Sequence, residues 1–356
     1  MAVSAKRQLQ FWGIAFAVFV LLLWLLGSTL LPFLLGAALA YFLDPLADRL
    51  ERLGLNRVAA TSVIAVVAVV AFVLALLFGI PALVEQVEAL VAALPDYIAS
   101  LIELLSRRYP DIFGESSPFR RNLSDVETML RDGGLTVATG VLAGALGVLD
   151  FLVLLFVTPV VAFYLLLDWD RMVTKVNGIL PRQHGPTVRR LARDIDVVLA
   201  GFVRGQLSVC LILGGFYAFA LMAIGLQYGF LVGIIAGLVS FVPYVGSTVG
   251  LVLSLGIAAF QFWDAKLWIV VTAGIFFFGQ FVEGNILSPN LIGKSVGLHP
   301  VWLILALAVF GTLFGFTGLL VAVPVAAALG VIGRFLIERY LESPLYTGQL
   351  PPEEES

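Results

Sequence analysis

Val58–Ile80 runs for 23 residues without a charged side chain, and Phe11–Leu31 does the same for 21. A helix rising about 1.5 Å per residue needs roughly 20 apolar residues to cross the hydrocarbon of a bilayer. Inside that layer no water satisfies backbone amides, so only a helix or a closed barrel crosses. Continuous apolar runs, rather than alternating ones, select the helix. Further runs at 135–167, 207–226, 230–242, 249–262, 267–282, 301–316 and 319–337 give a tally of about eight spans, several too short to cross alone. The predicted fold is therefore all-α: a polytopic integral membrane bundle with some broken or re-entrant helices, plus amphipathic extramembrane helices. Composition agrees, with 60% hydrophobic and 13% charged residues and a mean hydropathy of +1.03. Surface-to-volume scaling leaves a soluble domain of 356 residues too little interior to hide that excess.

Several classes are excluded early. A net charge of −3 argues against a nucleic-acid partner. Cys210, the single cysteine, has no disulfide partner within the chain and sits in an apolar run as an inert thiol. Two histidines, His184 and His299, are too few for a zinc set without several converging carboxylates, so neither a metal nor a cofactor is expected. Lys6 and Arg7 precede the first apolar run and Ala38-Leu39-Ala40 resembles a cleavage site, but the run between is far longer than the ~7–15 residues of a signal segment. It reads as an uncleaved first span.

The chain divides by character. Residues 1–80 form N-terminal membrane helices, with Pro32 breaking the first run and a charged turn at Asp48–Arg57. Residues 81–135 form an amphipathic extracytoplasmic appendage: Leu83, Val87, Leu90, Leu94, Ile98 and Leu105 recur at helical spacing, with Glu85, Glu88, Asp96 and Glu103 opposite, predicting a helix pair hinged at Pro95. A capping box, Ser124 with Glu127, marks a short helix further on. Residues 136–170 form a membrane helix interrupted at Pro159 and ended by Asp168-Trp169-Asp170, and 171–205 a cytoplasmic basic amphipathic segment. Residues 206–340 are a C-terminal membrane core punctuated by Pro243, Pro289, Pro300 and Pro324, and 341–356 a disordered tail.

Lys and Arg in short loops set orientation. Seven of them lie between Arg171 and Arg204, which places that segment, both termini and the loop at 44–57 in the cytoplasm. The stretch from Pro81 to Gly134 carries five arginines against nine acids and belongs outside. The expected location is the bacterial inner membrane, multi-pass.

The strongest polar signal lies at the end of an apolar run. Gln280, Glu283 and Asn285 fall there, followed by Pro289. A charged side chain at mid-bilayer costs at least ~2.5–3.5 kcal/mol, which makes Glu283 a functional candidate. Proline removes a backbone donor and frees carbonyls for a cation or polar solute. An ordinary helix end with solvated charges explains the same residues, and that alternative stays open. Gly233 and Gly237 before Pro243, and Gly311, Gly315 and Gly318 before Pro324, repeat weakly; they fit either broken helices around a transport site or tight helix crossing. The candidate substrate or ion ligands are Glu283, Asn285, Pro243, Pro289 and Gln280.

Two enzyme motifs fail on context. Gly293-Lys294-Ser295-Val296-Gly297 matches G-x-S-x-G but lacks the preceding strand. The same Gly-Lys-Ser would end a P-loop whose first glycine is instead Ser288. The chain is not read as an enzyme.

Leu31-Pro32-Phe33 through Ala40-Tyr41 to Asp44-Pro45, Phe202-Val203-Arg204-Gly205-Gln206, Phe241-Val242-Pro243-Tyr244-Val245-Gly246, Glu283 through Pro289, and Gly297-Leu298-His299-Pro300 followed by Gly311 to Pro324 keep their order over nearly the whole chain. In these pieces the sequence resembles the autoinducer-2 exporter family of PerM-like permeases. The resemblance implies a secondary transporter of a small polar solute, an autoinducer-2-like signal among them, coupled to Na⁺ or H⁺ and without an ATPase. Partners would be the lipid bilayer, that solute and further copies of the chain in a homo-oligomer. The rival reading is a membrane scaffold that does not transport, whose amphipathic arms recruit other proteins.

Overall fold

The computed structural model describes residues 29–74, 77, 80–108, 148–180, 185–243, 245–292, 297–343 and 346. The run from Phe11, the region 109–134 with its capping box, His184, the stretch 293–296 and the tail after 346 lie outside the described residues. Among those described there is helix and no strand. The α-helices are α1 (Leu31–Arg52), α2 (Arg57–Leu74), α3 (Ile80–Arg108), α4 (Val148–Ile179), α5 (Gly185–Ala223), α6 (Gly229–Val239), α7 (Val245–Gln261), α8 (Lys266–Val282) and α9 (Pro300–Leu341). A π-helical segment, Glu283–Ile292, continues directly from α8.

Among the described residues, α1, α4, α5, α8 with its π extension, and α9 are long and apolar enough to cross a membrane, and α2, α6 and α7 are shorter apolar helices. Their outward faces are greasy: Leu211 is 66% exposed, Phe219 78% and Phe277 67%. Such surface suits lipid and not water. The protein is a multi-pass helical membrane protein.

Prolines behave differently from expectation. Pro32 stands in the first turn of α1, after a turn at 29–30, where a missing N–H costs nothing; the run before it lies outside the described residues. Pro45, Pro95 and Pro159 lie inside continuous helices, so α3 is one 29-residue helix rather than a hinged pair, and α4 passes Asp168–Asp170 to Ile179. In the apolar α4, neighbouring groups can re-satisfy the carbonyl that Pro159 frees. The break in α9 falls at Gly315, with φ 57° and ψ −137°, and not at Pro324. The basic stretch of α5 likewise runs unbroken into the apolar residues up to Ala223.

The chain forms two compact units. The first comprises Met1–Thr61, Val157–Gln206 and Ser288–Ser356. Here the charged turn expected at Asp48–Arg57 is mostly helix. Asp44, Asp48 and Glu51 sit at i, i+4 and i+7 on one face of α1, and Arg57 at the start of α2 collects all three, at 2.8, 3.0 and 3.2 Å. Its Nε also donates to the Leu166 carbonyl of α4 at 2.9 Å. Arg204 of α5 donates to the second Asp44 oxygen (3.0 Å) and to the Tyr41 carbonyl (2.6 Å). The connection between α1 and α2 is a Schellman turn: Leu55 N–H donates to Leu50 O and Gly54 N–H to Glu51 O, with Gly54 at φ 101°. Asn56 Oδ1 then caps α2 by accepting from Ala59 N–H at 2.8 Å.

The second unit comprises Ser62–Phe156 and Leu207–Leu287. Its centre is a close crossing of α5 and α6. A Cβ on Gly237 would lie 2.3 Å from the Gly214 Cα, and one on Gly233 only 2.2 Å from the Ala218 backbone. Small-xxx-small spacing on both helices, 214/218 and 233/237, is what permits this approach. Tight packing is thus the role of that glycine pair. α7 packs on α6 and α8, and α3 touches α6. Gln86 of α3 accepts from Leu231 N–H at 3.1 Å, capping a first turn whose own N-cap residue, Tyr228, supplies no side-chain bond.

Gly237→Ala should destabilise the protein by about 1–3 kcal/mol through overpacking against backbone. Gly215→Ala, which meets nothing within 4 Å, should be neutral or mildly stabilising. Thermal unfolding in detergent separates them. Arg57→Ala should cost about 1–3 kcal/mol by the same assay, because three partly buried carboxylates lose their shared cation. Arg107→Ala, which removes an exposed i,i+4 pair with Glu103, should cost well under that.

Candidate functional site

α8 is apolar up to Val282, and its last turn carries Gln280. From Glu283 the helix widens to π geometry for ten residues. Proline and glycine explain the local choice. Pro289 has no N–H to donate, so the carbonyl of Gly284, its π-helical partner five residues back, receives no bond from that position. Gly284 adds no side chain, and nothing lies within 4 Å of where its Cβ would be.

Gln280 Nε2 donates to Glu283 Oε2 at 2.8 Å, one turn apart on the same face. Glu283 is half-buried. Asn285 does not join this pair; its Nδ2 turns back to the Phe281 carbonyl at 2.9 Å. Pro243 lies on a separate element, the turn after α6, where Gly246 packs against the Ser240 backbone. Pro289 occupies the part of the π segment that belongs to the first unit. The structure thus brings Gln280 and Glu283 together and leaves Asn285, Pro243 and Pro289 as neighbours in sequence or on other turns.

Sequence reasoning missed Tyr217. This α5 residue is fully buried and stacks on Phe276, with ring centroids 4.4 Å apart at 16°. Gly279 makes the space, since a Cβ there would lie 2.3 Å from the Tyr217 hydroxyl. Among the described residues the buried hydroxyl makes no hydrogen bond of good geometry, and the Gln280 side chain is the polar group facing it. Cys210, two turns earlier on the same face of α5, is buried as well. The available signal was Gly279-Gln280, a small residue beside a polar one in a run of phenylalanines. Its partner on α5 has no local signature.

The profile of AI-2E family transporters matches residues 14–337. The chain belongs to the AI-2E transporter family. YrrI of Bacillus subtilis strain 168 is 32% identical over 315 residues, 87% of each chain. PerM of Escherichia coli K12 is 27% identical over 312 residues, 86% of this chain and 87% of its own. TqsA of the same bacterium, an AI-2 transport protein by name, is 26% identical over 322 residues, 88% of this chain and 86% of its own.

Within this AI-2E family chain, the pieces that carried the resemblance have identifiable physical work. Tyr41, Asp44 and Arg204 meet in one network of the first unit. Glu283 to Pro289 is the π segment. Gly297, at φ 53°, turns the chain into α9, where His299 Nδ1 accepts from Val301 N–H at 3.3 Å and Pro300 occupies the first turn.

Tyr217→Phe removes an unsatisfied buried hydroxyl and keeps the stack, so thermal stability should stay level or rise by about 1 kcal/mol. A fall in solute flux alongside unchanged or higher stability would mark the hydroxyl as working in transport.

Proposed function

We propose that this chain is a secondary carrier that moves a small polar solute across the bacterial inner membrane, coupled to Na⁺ or H⁺. Glu283 is the coupling carboxylate in this reading. The supporting observation is its position: half-buried at the end of an apolar helix, hydrogen-bonded to Gln280, where the backbone opens into a proline-containing π segment. A carboxylate kept in such a place is costly unless it has a task, and π distortions recur at functional sites. Asn285 and carbonyls near Pro243 and Pro289 complete the proposed ligand set. The name of TqsA favours an autoinducer-2-like signal as the solute.

The charge distribution supports cytoplasmic termini, a cytoplasmic face for the first half of α5, and an extracytoplasmic place for α3 and the residues from there to Gly134. In the same reading 206–340 is the transport core, and the polar face of α3 offers contacts for a homo-oligomer. The scaffold alternative rests on the amphipathic stretches 83–105 and 186–204, but Gln86 in the first spends one of its polar groups capping α6 of its own unit.

Glu283→Gln in proteoliposomes should abolish ion-driven accumulation of the solute while leaving the protein folded, since glutamine still meets Gln280. Wild-type rates in that variant remove Glu283 from the coupling role.

A further inference from the structure

The first unit contains a cavity of about 370 Å³ that the transport reading does not use. Space is provided by small residues, Ala37 and Ala40 on α1 and Ala200 and Gly201 on α5. Two aromatic rings form part of the wall. Tyr41 and Trp169 meet edge to face, with centroids 5.9 Å apart at 65°, and Trp169 keeps 38% of its surface open. Leu165, Leu166 and Val197 supply apolar lining.

The polar groups of the cavity are unequally matched. Asp44 and Arg204 both reach it, but they pair with each other at 3.0 Å, and the other Asp44 oxygen holds Arg57 at 2.8 Å. Asp196 differs. One of its oxygens accepts from the Tyr41 hydroxyl at 2.8 Å, and among the described residues no cation pairs with it. Counting Asp44, Asp48, Glu51 and Asp196 against Arg57 and Arg204 leaves the cluster with a formal charge of −2. A carboxylate with an open oxygen, beside the rings of tyrosine and tryptophan, in a chamber whose other charges are paired and whose remaining walls are apolar, is complementary to an ammonium group carrying an apolar body. The carboxylate supplies the charge, and the rings supply cation–π attraction.

We propose that this cavity binds a small organic ammonium cation, with Asp196 as counter-ion and Trp169 and Tyr41 as its aromatic walls. The site lies in the first unit, whereas Glu283 lies in the second, so the two assignments stand or fall separately. Bulk matters as well as charge: bare Na⁺ cannot fill the chamber or press against the rings, and a neutral alcohol of the same shape cannot pair with Asp196.

The test is equilibrium binding to the purified full-length chain in nanodiscs, with no gradient and therefore no dependence on transport. Tetramethylammonium chloride is titrated by calorimetry against NaCl and tert-butanol. The expected result is saturable heat with tetramethylammonium that neither control reproduces. Asp196→Asn keeps an acceptor for Tyr41 and removes only the charge, and it should weaken binding about tenfold or more. Trp169→Leu should weaken it about threefold or more. Asp194→Asn, on the same helix and not in this cavity, should stay within about twofold. Elution on size exclusion and helical dichroism check folding. If Asp196→Asn does not fold, Trp169→Leu and the tert-butanol comparison still decide. No saturable binding by the wild type, equal heats with NaCl or tert-butanol, or undiminished binding in folded Asp196→Asn would each overturn the proposal.

Discussion

Lipid offers a backbone no hydrogen bonds, and the rest of the architecture derives from that constraint. Each crossing segment has to close its own amide ladder, so the chain is helix after helix. Because lipid tails are as apolar as leucine, burying leucine gives no advantage between helices, and association has to come from close contact and from polar groups. Both devices are present, in different places. The second unit uses contact, with the Gly214/Ala218 and Gly233/Gly237 rows bringing α5 and α6 backbone to backbone. The first uses charge, with Arg57 gathering three carboxylates of α1 and a carbonyl of α4.

The same constraint makes each polar residue in an apolar helix informative. Glu283 and Tyr217 are costly where they stand, and each is partly compensated, by Gln280 and by stacking on Phe276; Asp196, in the polar first half of α5, accepts from the Tyr41 hydroxyl. None is fully satisfied. That residual demand is what suits them to groups arriving from outside the protein.

Much of this was legible in the sequence, and the failures share a cause. Apolar runs located the spans, and the i,i+3 spacing of Gln280 and Glu283 already placed them on one face. Proline was over-read as a breaker. Pro45, Pro95 and Pro159 sit within helices that continue past them, and α4 around Pro159 is apolar enough for lipid to hold the rest of the ladder closed, whereas the interruption of α9 needed the positive φ that glycine alone adopts easily, at Gly315. Charges at 44, 48, 51 and 57 looked like a turn because their common partner was not apparent from local spacing alone. Tyr217 and Asp196 stayed invisible for the related reason that their meaning depends on residues 59 and 155 positions away, Phe276 and Tyr41. Local pattern carries no record of such pairings.

The π segment has a consequence for how the chain keeps register. A turn closed from i to i+5 contains one residue more than an α turn, so Glu283–Ile292 holds surplus length that an α-helix would not. Removing a residue there can be absorbed by tightening one wide turn. The segment is therefore a slack section in an otherwise stiff rod, where side chains can change azimuth about the axis without unwinding the helix.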